Sequence, residues 1–387
     1  MHAGWNQLMT YQPQVPSPPN PTRRPVMRGI FLWSVVAVVF GLAALAMTFV
    51  VTTSVGPRAA QLGLVSSLIA VGIVIPLFLW VDRLESEPPR LLWFAFLWGA
   101  LISTLGALVL GELGVAFFAG LDADPAVVGA VFIAPVTEEI LKGLGVLLIF
   151  LLARREFNGV IDGIVYAGIV AAGFAFVENI LYLSTMYVEG GVPGLVAIFV
   201  MRCLVSPFAH PMFTICIGLA LGLIAHRRRW SSAWVVLLGL AGAIFLHALW
   251  NYSAVVQSEA YLLIFVLVQV PLFVGFLLLL VWASRRESRL LRDILTGYGL
   301  NGWYTPAEVA MLSQPGERRR ARVWARGVGG RRAQQAMRAF QDESGELAMV
   351  RKHLVHDGAG EDPHWLEHER RLLEAVSAHR KVFVPGA

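Results

Sequence analysis

The feature that most constrains this chain is its long apolar runs. Stretches near the 20 or so residues a helix needs to cross lipid occur at about 29–51, 62–81, 91–119, 126–153, 163–187, 195–225, 234–254 and 260–283. Hydrophobic residues make up 57% of the chain and charged residues 15%, against roughly 25% charged in ordinary globular domains. Peptide groups inside hydrocarbon must be bonded within their own segment, so such runs form helices. The expectation is an all-α fold, a polytopic membrane helix bundle of about eight transmembrane helices. The first run follows Arg23, Arg24 and Arg28 as a signal peptide would, but it is too long for one and reads as a retained helix.

Orientation follows from the loops. Arg83 and Arg90, Arg154 and Arg155, and Arg227, Arg228 and Arg229 lie between alternate runs, with Arg285, Arg286, Arg289 and Arg292 after the last. The other loops hold only Arg58, and one is acidic, with Asp122 and Asp124. Both termini are therefore expected in the cytosol. The net charge of +5 suits a cytosolic membrane face better than a nucleic-acid site, and no nucleic-acid partner is expected. Cys203 and Cys216 are thirteen residues apart on one run, about 20 Å along a helix and too far for a disulfide.

Residues 1–28 are proline-rich and read as a disordered cytosolic arm, 29–284 as the bundle, and 285–387 as a basic cytosolic helical tail. Within the tail, Thr305-Pro306-Ala307-Glu308 has a capping residue, proline at the first helical position and glutamate at the third, which starts a short helix. Further helices are expected near 331–355 and 363–380, separated by Gly358 and Gly360. Few apolar residues are available to give the tail a core. His364-Trp-Leu-Glu367-His368 matches a soluble zinc-peptidase pattern but lies in this thin polar tail, where a solvated amphipathic helix accounts for it.

The chemistry lies in groups that do not belong in lipid. The fourth run carries Glu138, Glu139 and Lys142, the fifth Glu178 and Asn179, the sixth Arg202, His210 and Thr214, and the seventh His247, Trp250 and Asn251. A charged side chain at a helix centre costs about 2.5–3.5 kcal/mol even on a lenient scale, so the five charged groups facing lipid would cost over about 12 kcal/mol together. They must face one another or a wet cavity. Counted from the external ends, Glu138, Glu178, His210 and His247 fall within about 12 Å of depth, on four consecutive antiparallel helices. One shared site is the economical reading.

The spacings are chemically sensible. Lys142 lies one turn from Glu138, and Glu139 sits on an adjoining face. Thr214 and Asn251 each follow a histidine by four residues and can orient it or donate to a developing oxyanion. Two histidines with one or two glutamates match a zinc ligand set that leaves a position for water, with a spare glutamate as base. The same groups would also serve an ion or solute transporter, or act as glue in a non-catalytic scaffold.

At Glu138-Glu139-x-x-Lys142, Phe174-x-x-x-Glu178-Asn179, Arg202 with His210-x-x-x-Thr214, and His247-x-x-Trp250-Asn251, the chain resembles the PrsW family of bacterial intramembrane proteases over about residues 30–285. The resemblance implies a metalloprotease of the bacterial plasma membrane that cuts a membrane protein or peptide substrate, an anti-sigma-factor-like protein among the candidates. It assigns Glu138 or Glu139 as base and Glu178, His210 and His247 as metal ligands, with zinc the expected metal. Lys142, Asn179 and Asn251 orient these groups or line an oxyanion hole, and Arg202 binds a substrate carbonyl or neutralises Glu178. The family is distantly similar to CAAX prenyl endopeptidases, whose second motif ends in histidine where this chain has Glu178. Metal-independent chemistry, with Glu138 as base and His247 and Asn251 as oxyanion donors, therefore stays open beside zinc.

Overall fold

The computed structural model describes residues 26–84, 86–118, 124–154, 156–157, 159–225, 232–255, 263–356 and 363–384. The first 25 residues of the expected arm lie outside these, as do Asp122, Arg155, Arg227, Arg228, Arg229, Gly358 and Gly360. Among the described residues every regular element is helical, as the apolar runs predict.

Helices α1 (Val26–Val55) and α2 (Pro57–Val81) are joined at Gly56, whose φ of 81° is a left-handed turn suited to glycine. Helix α3 (Pro89–Leu97) passes through a π-helical turn, Trp98–Ser103, into α4 (Thr104–Phe118). The short α5 (Pro125–Val128) likewise passes through a π turn, Gly129–Ile133, into α6 (Ala134–Leu152). Then come α7 (Val160–Phe199), a third π turn at Val200–Val205, α8 (Ala209–Ile224) and α9 (Ala233–Val255). A fourth π turn, Phe265–Gln269, leads into α10 (Val270–Leu300). The tail adds α11 (Pro306–Leu312), α12 (Pro315–His356) and α13 (Pro363–Phe383).

Among the described residues, six stretches are long and apolar enough to cross a membrane: Trp33–Val55, Pro57–Val81, Pro89–Phe118, Val160–Ile224, Ala233–Val255 and Phe265–Leu300. The fourth is 65 residues long and holds two of the eight expected runs. It is not one rod. α7 breaks at Gly191 (φ 61°, ψ −150°), just before Pro193, and the helix breaks again between the π turn and α8. Helix α6 is not among the six and carries Glu138, Glu139 and Lys142 within two turns.

The buried centre is α7, whose residues Ile161–Phe174 are buried on every side. Helices α2 and α8 flank it and approach closely where side chains are absent. A methyl group on Gly163 would overlap the Gly218 carbonyl, and one on Gly218 would overlap the Gly163 carbonyl, the small-residue contact by which membrane helices gain packing. Large side chains such as Leu45, Phe49, Val65, Leu113 and Leu278 face outward on the surrounding helices, an apolar belt of the kind that lipid covers.

The tail differs from expectation in having its own core. Leu295, Tyr304, Leu312, Phe340, Leu347, Val376 and Phe383 are buried together, and Leu84, from the α2–α3 connection, joins them. Long helices supply this core despite the tail's polarity, because each contributes one apolar stripe. Thr305 and Glu308 form the expected capping box, with Glu308 N–H on Thr305 Oγ1 at 3.2 Å and Thr305 N–H on Glu308 Oε2 at 2.8 Å. α10 runs unbroken through residue 284, so the expected boundary falls inside a helix. Arg318 Nη1 donates to the Leu84 carbonyl at 2.5 Å, tying the tail to the bundle. The His364–His368 pattern lies on α13, with Glu367 paired to Arg370 and His368 to Glu346.

Two outcomes follow. Gly218→Val forces α7 and α8 apart and lowers stability by about 1–3 kcal/mol, read as a lower melting temperature of the detergent-solubilised protein. Asp82, at the end of α2, is buried and accepts the Glu87 N–H at 3.0 Å. Burial, aided by nearby Asp162 and opposed by that N–H, pushes its carboxyl up to about 8. An acid raised on folding stabilises fully below its ordinary range near 4 and loses that contribution as pH rises towards 8. Asp82→Asn should flatten the fall in melting temperature between pH 5 and pH 8.

Candidate functional site

Four helices bring their polar groups to one buried place. Glu138, Glu139 and Lys142 lie on the inner face of α6, Glu178 and Asn179 on α7, His210 and Thr214 on α8, and His247 on α9. All but Glu178 are buried below a tenth of their surface.

Glu139 is the most enclosed, with no exposed side-chain surface. Lys142 Nζ stands 2.5 Å from its Oε1, His247 Nδ1 3.0 Å from the same oxygen, and the Thr214 hydroxyl donates to Oε2 at 2.8 Å. Lys142 is equally buried and reaches three acceptors, one for each N–H: Glu139, His210 Nδ1 at 3.2 Å, and Glu138 Oε2 at 3.5 Å. Its ammonium also lies 4.2 Å from the centre of the Phe174 ring, a cation–π contact. On the far side, His210 Nε2 is 2.6 Å from Glu178 Oε2, which also pairs with Arg202 Nη2. Arg202 Nε donates to Asn179 Oδ1 at 2.8 Å and its guanidinium covers the Tyr182 ring.

These partners assign the imidazole tautomers. His247 donates through Nδ1 to Glu139, leaving Nε2 with a lone pair 3.8 Å from Glu138 Oε2. His210 accepts from Lys142 at Nδ1 and so donates through Nε2 to Glu178. Each imidazole has a carboxylate behind it, an arrangement that orients and strengthens metal-binding histidines; the opposite nitrogen carries a lone pair on His247 and takes the Lys142 N–H on His210. The rings stand perpendicular with centroids 5.3 Å apart, and Phe213 stacks on His247 at 4.9 Å.

Glu138, His210 and His247 each offer a ligand atom within 4.8 Å of the others. Two imidazoles and a carboxylate are a donor set of catalytic zinc, so the residues present fit a metal in kind and in proximity. It is the one such group among the described residues. Glu178, named as a ligand from sequence, stands instead behind His210. Thr214 bonds Glu139 rather than His210, and Asn251 donates to the Ala130 carbonyl at 2.8 Å rather than to His247. The four-residue spacing put each pair on one helix face, but the nearest acceptor belongs to another helix.

The backbone explains how these groups reach one another. His210 sits in the first turn of α8, after the break that follows the π turn of Val200–Val205. Pro211 in that turn has no N–H to leave unpaired. Ala130, the acceptor of Asn251, lies in the π turn before α6, where widened winding frees carbonyls. Trp98, opening another π turn, donates Nε1–H to the Leu141 carbonyl at 2.9 Å and holds α6 from outside. Spacing alone gave no sign of these contacts, although Gly145, which leaves room for the Trp98 ring, was visible as a residue.

Fold and site together define a polytopic membrane protein with a buried glutamate–histidine centre able to hold a metal. Over residues 87–276 the chain matches the profile of the PrsW family intramembrane metalloproteases. It is 28% identical over 230 residues to a protein named Protease PrsW from Geobacillus kaustophilus, covering 58% of this chain and 91% of that one. Its identity to the Protease PrsW of Oceanobacillus iheyensis is 27% over 192 residues, 50% of this chain and 83% of the relative. No solved structure matches the chain.

The cluster's charge balance is testable without an activity assay. Lys142→Met leaves Glu139 buried without its cation and should destabilise the protein by about 3–5 kcal/mol. The double variant Lys142→Met/Glu139→Gln should recover much of that loss in the same denaturation experiment.

Proposed function

We propose that this chain is an intramembrane peptidase that hydrolyses a peptide bond of a membrane protein segment, with both termini in the cytosol of a bacterium and the centre facing the outer half of the plasma membrane. The observation that carries the reading is the meeting of Glu138, His210 and His247 from three helices, with Glu139 and Glu178 fixing the two imidazoles from behind.

In this reading His210 Nδ1, His247 Nε2 and Glu138 would hold zinc. When bound, the ion supplies an acidified water and polarises the scissile carbonyl. The chain's own residues do the rest. Glu138 keeps 11% of its side chain exposed whereas Glu139 keeps none, so Glu138 is the carboxylate that water can reach: it would be a ligand where zinc is held, and the base that takes the proton of water in the metal-independent alternative. Glu139 is saturated by Lys142, Thr214 and His247 and acts by holding the His247 tautomer. Glu178 does the same for His210, itself held by Arg202. Lys142 lies against His210 Nδ1 and Glu138 Oε2 as well as Glu139, so it would have to yield the first two where a metal is held and would keep Glu139 as its partner. Arg202 uses only part of its five N–H donors on Glu178 and Asn179, which leaves others for a substrate carbonyl. Asn251 anchors α9 to the turn before α6, and Asn179 positions Arg202. An anti-sigma-factor-like protein is a substrate of the right kind, being a membrane-anchored chain.

Two variants test this reading in the full-length protein in nanodiscs. Glu138→Gln should lower cleavage of a co-reconstituted single-pass membrane protein by about 10²-fold or more with an unchanged melting temperature. Glu178→Gln should weaken zinc binding by about 10–100-fold, read by chelator competition. Cleavage untouched by Glu138→Gln, or an ion flux in proteoliposomes that this variant abolishes, would replace the peptidase with a transporter.

A further inference from the structure

Next to the centre, α8, α9 and α10 enclose a groove of about 490 Å³, lined among others by Phe213, Leu246, Trp250, Gln269, Leu272 and Phe276. That volume is close to one turn of helix with its side chains, so it takes a few residues and not a whole helix. The groove adjoins the centre through Phe213, which forms its wall and also stacks on His247.

One polar group in this wall is unexplained by packing. Ser253 donates its single hydroxyl proton to the Trp250 carbonyl at 2.6 Å. Its oxygen therefore accepts from Gln269 Nε2, which fixes the orientation of the Gln269 amide. The other end, Oε1, is buried and takes no bond among the described residues, although Gln269 is only 4% exposed. An unpaired acceptor away from water costs free energy comparable to a lost hydrogen bond, and the groove opens on an otherwise apolar surface. Gln269 ends the π turn of Phe265–Gln269, a local widening of the kind associated with functional positions.

The chemistry of a missing donor selects the occupant. Lipid acyl chains have no N–H. An intact membrane helix has its N–H groups on its own carbonyls. A locally unwound stretch of a membrane segment has free backbone N–H groups together with apolar side chains. A peptide bond also has to leave its helix before water can attack it. We propose that this groove binds the unwound stretch beside the scissile bond of the substrate, and that Gln269 Oε1 accepts one of its backbone N–H groups. Oε1 has no exposed surface as the side chain stands, so binding of the segment includes release of the Ser253 bond and a turn of the amide arm towards the groove. Ser253 lies six residues from His247, about 9 Å along α9, which places the contact about three extended residues from the centre. This inference rests on the peptidase reading and adds a specificity determinant to it: substrates need a helix-weakening sequence at that distance from the cut.

The test uses the full-length protein in nanodiscs, carrying Glu138→Gln so that binding is read without hydrolysis. A benzophenone is attached through Leu272→Cys in a Cys203→Ala/Cys216→Ala background. Three lysine-flanked Leu/Ala peptides serve as probes: one with a central Gly-Gly pair, one with Leu-Leu there, and the Gly-Gly peptide N-methylated at the pair. The Gly-Gly peptide should cross-link at the lowest concentration and the Leu-Leu helix at background. N-methylation should weaken labelling about fivefold to tenfold, as should Gln269→Met, with no further loss when the two are combined. Because N-methylation alters only the peptide, it reads the bond even if Gln269→Met folds poorly. Equal labelling by the Gly-Gly and Leu-Leu peptides, no effect of N-methylation, or cross-linking to lipid alone would overturn the proposal. Hydrolysis of the Gly-Gly peptide by the protein with Glu138 intact is scored separately, so labelling without hydrolysis upholds the groove and counts against the peptidase reading.

Discussion

Glu139 is a carboxylate with no access to solvent, and its partners come from three helices: Lys142 from α6 itself, Thr214 from α8 and His247 from α9. Taking such a group out of water costs several kcal/mol unless charge and hydrogen bonds replace the lost hydration. The three partners do this together, so α6, α8 and α9 cannot slide past one another without uncovering a charge. The rest of the centre follows from that constraint. His247 is held in one tautomer, Lys142 is held where it meets His210 and Glu138, and a nitrogen of each imidazole lies within 4.8 Å of a Glu138 oxygen. Glu178 and Arg202 repeat the device on the other histidine, with the positive charge this time supplied from the π turn of Val200–Val205.

The backbone meets this demand by departing from regular helix. Among the described residues, four π turns interrupt the bundle, and each adjoins a polar contact: Trp98 to the Leu141 carbonyl, Asn251 to the Ala130 carbonyl, Arg202 to Asn179, Gln269 to Ser253. Irregular winding inside a membrane is tolerated only where protein buries it or a cavity adjoins it, and here both conditions hold. The break before Ala209 matters most. It starts a new helix at His210, so the imidazole projects from a first turn against α7 and α6.

Much of this was legible in the sequence, for physical reasons. Apolar runs of membrane length imply helices, and the cost of charges in lipid implies that Glu138, Glu139, Lys142, Glu178 and Arg202 seek one another. What spacing does not encode is which neighbour each group finds. Glu178 and His210 looked like equals in a ligand set, but Arg202 draws Glu178 to the far side of the ring. Thr214 and Asn251 looked like partners of the histidines on their own helices, and they bond across helices instead. The tail was harder to read, because its core is assembled from single stripes on long polar helices. Leu84, which completes that core, comes from a connection more than two hundred residues earlier.

That connection links the two parts of the molecule. Arg318 bonds the Leu84 carbonyl, and Glu87 in the same connection accepts the Tyr166 hydroxyl of α7 at 2.5 Å, on the helix that carries Glu178. The tail is thus fixed to the element at the middle of the bundle. The most direct measurement of the central claim is zinc X-ray absorption on the purified, zinc-equilibrated protein. The account predicts one ion per chain with two imidazole nitrogens and a carboxylate oxygen, and loss of the imidazole signal in His210→Ala and His247→Ala. A stoichiometric zinc signal unchanged by both substitutions, or a protein that binds no zinc at all, would contradict it.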